Sequence, residues 1–200
     1  MKIQSVFKKL DPIYGKFLVG DIYKQNLELA IKLTEPYSKV VLDVGFGFGV
    51  VFPYLVGYTE ECYGININRN QSTKAKGALD SLGIKPNLIT ADIRKAPFGN
   101  SSFEVIYALN TLEHIKEIDT TLAEIKRILK SGGYFVVAVP TENLIYRVGR
   151  VVIGYGKKPK GHHHTAKEIK ARLLRYFDIT AEKAITSIVP LFKVYLCKRD

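Results

Sequence analysis

The chain has 200 residues, 30 Lys plus Arg against 19 Asp plus Glu, a formal net charge of +11, and 46% hydrophobic residues. That length is a prior for one domain folding without disulfide or metal support, and the apolar content excludes a disordered chain. Two cysteines, Cys62 and Cys197, cannot form a disulfide framework, and no apolar run reaches the ~20 residues of a membrane span. With no signal peptide, the expectation is a reducing, cytoplasmic setting. Residues 1–37 read as one or two helices, because Leu27, Ala30, Ile31 and Leu33 recur at helical spacing before Pro36. A strand over 40–44 follows, then the turn Gly45-Phe46-Gly47-Phe48-Gly49 and a short helix interrupted near Pro53. A second strand at 62–66, a helix over 70–82 closed by Gly83, and strands at 87–91 and 103–108 continue the alternation. Thr121 to Glu124 spells a capping box for a helix near 119–130 that closes on Ser131-Gly132-Gly133, before a fifth strand at 134–139. Residues 141–164 break the rhythm with Gly149, Gly154, Gly156, Pro159 and Gly161, as a small cap rather than a second domain. Thr165 to Glu168 opens another capped helix to about Tyr176, and strands at 178–186 and 190–198 lie close enough for an antiparallel hairpin. Apolar strands alternating with amphipathic helices predict an α/β domain over 1–200 with a mostly parallel sheet.

The charge is concentrated late. Residues 146–200 hold 13 Lys plus Arg against 4 acids, whereas residues 1–145 hold 17 against 15. This basic quarter is either where an anionic partner is met or an ordinary solvated surface.

The strongest chemical signal is Val41-Leu42-Asp43-Val44-Gly45-Phe46-Gly47-Phe48-Gly49, a strand feeding a turn with glycine at every second position. Glycines there let backbone approach a ligand that a Cβ would block, at the sheet edge where open α/β folds hold cofactors. The dinucleotide fingerprint needs a third glycine five residues after the first, where this chain has Val50. A carboxylate at Asp43 would repel a pyrophosphate and suits an ammonium group. That points away from NAD and towards S-adenosylmethionine. No Gly-Lys-Ser/Thr follows, which excludes a P-loop.

These residues resemble a class I S-adenosylmethionine-dependent methyltransferase, of the compact type 11-like branch acting on small molecules and lipid-like acceptors. Val41 to Gly49 resembles the first motif of that family, and Tyr63-Gly64-Ile65-Asn66-Ile67 the end of its second strand. Thr90 to Ile93, Ala96-Pro97-Phe98 and Ser102 to Ile106 resemble its Asp-x-x-x-x-Pro-Phe…Phe-Asp stretch, and Asn110 to Ile115 its Leu-Glu-His segment. Leu122 to Pro140 resembles the helix, glycine turn and fifth strand. The resemblance implies a Rossmann-like, seven-stranded sheet in the order 3-2-1-4-5-7-6, flanked by helices, with strand seven antiparallel. It implies that Asp43 anchors the cofactor amino group and that Gly45, Gly47 and Gly49 let the methionine portion pack on the backbone. Asp92 would accept from the adenine amine with the Ile93 backbone beside it, Ile67 would flank the adenine, and Ala108, Leu109 and Asn110 would line the floor. The family's ribose ligand after strand two is an acid, whereas this chain has Asn66, which exchanges a charge-assisted bond for a neutral one. Asn68 is a substitute ligand, and a turn-forming role for Asn66 is the alternative.

Four histidines are His114, His162, His163 and His164. Adjacent side chains on an extended segment point to opposite faces, so no metal is expected at the triple run. His163 resembles a histidine the family keeps before this helix, facing the acceptor. His114 either packs beneath the pocket or serves as a base. Both are the candidate catalytic groups, although an activated sulfonium methyl needs mainly alignment. Between 143 and 160, Leu144, Ile145, Tyr146, Val148, Val151, Val152, Ile153 and Tyr155 interleave with Arg147, Arg150, Lys157, Lys158 and Lys160. That pattern suits an amphipathic or anionic acceptor, or an anionic membrane surface; the other reading folds these apolar residues back onto the sheet. The leading expectation is methyl transfer to a small or amphipathic acceptor. An RNA methyltransferase is a rival, motivated by the basic quarter but lacking an appended RNA-binding module, so nucleic acid is the less favoured partner. A non-catalytic S-adenosylmethionine-binding protein is a third reading, motivated by Asn66. Neither acceptor identity nor oligomeric state is legible.

Overall fold

A computed structural model describes residues 19–34, 38–143, 148, 151, 161–185 and 190–200. The expected helix before residue 19 and most of the interleaved segment 144–160 lie outside the described residues. Helix α1 (Val19–Lys32) leads into β1 (Ser38–Val44), α2 (Phe52–Leu55), β2 (Thr59–Asn66), α3 (Arg69–Ser81), β3 (Asn87–Thr90) and β4 (Phe103–Leu109). Then come α4 (Ile118–Ile128), β5 (Leu129–Pro140), α5 (Ala166–Tyr176), β6 (Asp178–Ile185) and β7 (Phe192–Lys198). Single 3₁₀ turns, Ile93–Lys95 and Leu112–His114, follow β3 and β4.

The strands form one sheet in the order β3-β2-β1-β4-β5-β7-β6. Pairing is parallel from β3 through β5, and β7 is antiparallel to both β5 and β6. This is the strand order that the resemblance implied. Both faces are covered, so the central strands are continuous apolar runs whose alternate residues enter different cores. On β5, Phe135, Val137 and Val139 join the core beneath α4 and α5, while Val136 and Ala138 join the core beneath α1, α2 and α3. Helix α4 buries Ile118, Leu122, Ile125 and Ile128, all fully inaccessible. Each contributes about 1.5–3 kcal/mol of apolar transfer. Among the described residues no helix is long and apolar enough to cross a membrane.

Helix ends separate two similar four-residue spellings. At Thr165 the capping box forms: the Glu168 amide donates to Thr165 Oγ1 at 3.3 Å, and the Thr165 amide donates to Glu168 Oε2 at 2.7 Å. At Thr121 it does not. Helix α4 starts three residues earlier, at Ile118, and the Thr121 hydroxyl donates to the Glu117 carbonyl at 3.1 Å inside the helix. Glu124 turns to Arg127 at 2.6 Å instead. The apolar spacing from Ile118 outweighs the cap signal. The helix also ends at Ile128, and Gly132 and Gly133 belong to the start of β5, where they exchange backbone bonds with Arg199. Strand β2 begins at Thr59, three residues before the expected start, because Ser38 and Val40 of β1 pair with Thr59 and Glu61.

Candidate functional site

Parallel pairing brings the carboxyl ends of β1, β2 and β4 to one edge of the sheet. A cavity of about 750 Å³ opens there, within the range of small-molecule and cofactor sites. Asp43, Gly45, Gly47, Asn66, Ile67, Asp92, Ile93, Leu109, Asn110, His114 and His163 line it. Gly49 and Ala108 do not. The Cβ of Ala108 joins the core under α4 and α5, one residue out of phase with Leu109. A Cβ on Gly49 would meet Leu79 at 2.9 Å and Phe52 at 3.3 Å, so that glycine serves packing of the turn against α3 and α2.

The other two glycines divide the work. Gly45 has φ +74°, and a Cβ there would lie 2.3 Å from Thr111 Cγ2. Gly47 has φ +52°, and a Cβ would meet nothing closer than the Gly45 carbonyl at 3.9 Å. The first glycine admits Thr111; the second leaves bare backbone towards the cavity.

Asp43 is 4% exposed. Burial pushes its carboxyl well above the usual range, and no charged partner offsets it among the described residues. Asn66 is buried, and its amide nitrogen donates to the Asn68 carbonyl at 3.4 Å and to Gln71 Oε1 at 3.3 Å. Asn68 caps α3, accepting from the Gln71 amide at 3.1 Å, so its side chain is committed to the helix. Ile67 is 68% exposed at the cavity rim. Asp92 accepts from Arg94 Nε at 2.9 Å and Nη2 at 2.6 Å, which holds its carboxyl below the usual range. Arg94 extends to Glu117 at 2.5 Å. Asn110 adopts φ +55°, and its Oδ1 is buried without a hydrogen-bond partner among the described residues. Such an atom is expensive to leave unpaired.

The histidines separate. The His163 side chain is exposed at the cavity while its backbone amide donates to the Glu113 carbonyl at 2.7 Å. His164 Nε2 lies 3.1 Å from the Lys116 carbonyl. His162 turns to Glu142 and stacks edge-on against His114 with centroids 4.6 Å apart. His114 Nδ1 lies 3.3 Å from the Gly161 carbonyl, and burial lowers the pKa of its imidazole. Sequence reading passed over Glu113, which is 2% exposed and pushed up to about 8 by burial. It also passed over Thr111, Gln71 and Arg94, and over Tyr23 and Leu27, which α1 contributes to the cavity. Glu113 and Thr111 stood inside the Leu-Glu-His segment; the others carried no local signal.

Fold and site together define a Rossmann-like protein of class I methyltransferase architecture. Residues 42–137 match the family model described as Methyltransferase domain. Sterol 4-C-methyltransferase strm-1 of Caenorhabditis elegans is 34% identical over 62% of this chain and 37% of its own length. The O-methyltransferase cnsE of Penicillium expansum is 32% identical over 60% of this chain and 44% of its own. The chain therefore spans less than half the length of these curated relatives. A crystal structure of an S-adenosylmethionine-dependent methyltransferase from Clostridium acetobutylicum superposes with a TM-score of 0.73 at 15% identity, covering 96% of this chain and 98% of that one.

Proposed function

We propose that the protein transfers the methyl group of S-adenosylmethionine to a small, amphipathic acceptor. One observation carries this reading: Asp43 is a buried carboxyl group without a counter-charge among the described residues, on the same cavity wall as the bare backbone of Gly47. A buried charge calls for a partner, and an ammonium at that wall would supply it. Asn110 Oδ1, on the same cavity wall, has no hydrogen-bond partner among the described residues and could accept from a ligand donor. The residues present therefore fit S-adenosylmethionine, which when bound supplies an activated sulfonium methyl.

Asp43 would hold the amino group, and Gly45 and Gly47 would border the methionine portion. Asn66 would contact the ribose, offering an amide where the family places an acid. Asp92 and the Ile93 backbone would meet the adenine amine, between Ile67 and Leu109. Gly49 and Ala108 support these positions from behind. The protein's contribution is alignment, worth several kcal/mol when reacting atoms are held about 3–3.5 Å apart. His114 and His163 are the imidazoles on the cavity wall. Tyr23, Leu27, Ile67 and Ile115 give the cavity apolar surface, and the curated relatives above include a sterol methyltransferase. The interleaved cations and aliphatics of 144–160 support an acceptor with an anionic head or an anionic membrane surface.

The test is titration calorimetry with S-adenosylmethionine, followed by transfer of labelled methyl to a panel of sterols and anionic lipids presented in vesicles. One cofactor per chain, lost in Asp43→Asn, and label in a lipid support the proposal. No heat on cofactor addition refutes the cofactor site. Label appearing in bulk RNA, with salt-sensitive binding, refutes the acceptor class.

A further inference from the structure

At the His114 side of the cavity lies a cluster whose other members, Glu113 and His162, have no part in the methyl-transfer reading. Glu113 stands in the 3₁₀ turn after β4, with its carboxylate enclosed. Its Oε2 is buried and has no hydrogen-bond partner among the described residues. His114 follows it in the same turn, and His162 arrives from the segment preceding α5. One ligand atom from each of Glu113, His114 and His162 lies within 4.8 Å of the others. The three residues come from two places 48 positions apart, so the fold alone assembles them.

The hydrogen bonds around the rings add a second layer. His162 Nδ1 meets the Glu142 carboxylate, and the side chain of His162 is only 10% exposed. His114 Nδ1 meets the Gly161 carbonyl at 3.3 Å. The Gly161 carbonyl can only accept, so His114 Nδ1 carries the hydrogen in that contact, and donation from His162 Nδ1 to Glu142 leaves Nε2 as the nitrogen free to ligate. An imidazole whose other nitrogen donates to a carboxylate or a backbone carbonyl is the arrangement found around metal-ligating histidines. The rings pack edge-on, and one Glu113 carboxylate oxygen, Oε2, is without a hydrogen-bond partner among the described residues.

We propose that Glu113, His114 and His162 form a binding site for a divalent transition-metal ion of the zinc class, with Glu142 orienting His162 from outside the coordination sphere. Two imidazoles and one carboxylate are a donor set for Zn²⁺ or a neighbouring transition ion. Mg²⁺, which takes oxygen ligands, does not suit it. Closing on an ion at about 2.0–2.2 Å draws the donors inward from their present spread, a movement within reach of side-chain rotation. Three protein ligands leave a coordination position open, as in sites where a metal polarises a bound oxygen. Since His114 also lines the cavity, the ion would sit in the wall of the acceptor chamber and favour acceptors carrying an oxygen. This departs from the expectation of no metal, which weighed only the adjacent histidines. It stands apart from the cofactor assignment, since none of its residues is placed on S-adenosylmethionine.

The experiment uses the full chain, stripped with a chelator and titrated with Zn²⁺ and with Mg²⁺ by calorimetry. Metal content after gel filtration gives the stoichiometry. The expected result is one Zn²⁺ per chain and no heat with Mg²⁺. Glu113→Gln and His162→Gln should each weaken Zn²⁺ at least tenfold, and Glu142→Gln about 10–100-fold, the usual effect of losing an outer-shell partner. His164→Ala should leave Zn²⁺ binding unchanged. Circular dichroism and urea unfolding of the same variants report whether each is folded, so this outcome stays separate from the cofactor reading. Zn²⁺ binding that survives Glu113→Gln and His162→Gln but falls in His164→Ala places the metal on the surface histidine run and overturns the proposal. No Zn²⁺ binding by the folded parent chain overturns it outright.

Discussion

Gly45 and Gly47 stand two residues apart, both at positive φ, yet a methyl group at each should have different consequences. Gly45→Ala places a Cβ at φ +74°, 2.3 Å from Thr111 Cγ2 and 2.5 Å from its Oγ1. The left-handed backbone costs about 1–2 kcal/mol for an L residue, and overpacking adds roughly 1–3 kcal/mol. The expected destabilisation is about 2–5 kcal/mol. Gly47→Ala carries the backbone term alone, about 1–2 kcal/mol, because its nearest neighbour would be 3.9 Å away. Thr111→Ala removes both close atoms and leaves Thr111 Cβ, 3.0 Å from the new methyl. The double variant Gly45→Ala with Thr111→Ala should therefore recover about 1–3 kcal/mol relative to the sum of the single changes. Urea unfolding of the four proteins measures this cycle. Additive losses, or equal losses at Gly45 and Gly47, would refute the assignment of Gly45 to Thr111. In cofactor calorimetry Gly47→Val should abolish binding while the protein stays folded, since its side chain would enter the cavity.

Asp43→Asn should lose cofactor binding yet raise the melting temperature of the cofactor-free protein at pH 7. Its folded pKa lies above the unfolded one, so the parent loses stability as pH rises from about 4 through the folded pKa, and the gap between the two proteins should close at low pH. Asn66→Asp should tighten S-adenosylmethionine by about 1 kcal/mol, roughly fivefold, through a charged ribose bond. The same change should lower cofactor-free stability, because it gives up the donations to Asn68 and Gln71; weaker binding would show that Asn66 does not face the ribose. Thr165→Ala should cost about 1 kcal/mol in urea unfolding through loss of the cap on α5. Thr121→Ala, lacking a cap to lose, should not show that cap-type loss.

What the sequence made legible followed from local patterns. Apolar runs marked the strands because both faces of the sheet are covered, so no polar alternation had to be resolved. The glycine turn marked the site although only Gly47 leaves bare backbone towards the cavity, since Gly45 makes room for Thr111 and Gly49 for Leu79 and Phe52. Thr121 to Glu124 misled because a cap motif is only four residues long, whereas the burial of Ile118 depends on the whole sheet beneath it. Gly49 and Ala108 stand within motifs that line the cavity, but strand parity and helix packing turn them towards the cores. Glu113, His162 and Glu142 could not be grouped by spacing at all. They meet because β4, β5 and the segment before α5 end at the same edge.

The position of β7 bears on how the chain is made. It lies between β5 and β6, and β6 has no other partner in the sheet. Synthesis proceeds at about 5–20 residues per second, with earlier segments folding first, so β1 to β5 are complete while β6 waits for a strand that emerges after it. Until Phe192–Lys198 arrives, the β5 edge from Tyr134 to Pro140 is open, with Phe135, Val137 and Val139 on it. An open apolar edge is a template for pairing with another chain. β7 acts as the final stave of the sheet, and the antiparallel hairpin with β6 lets both strands close that edge in one local step.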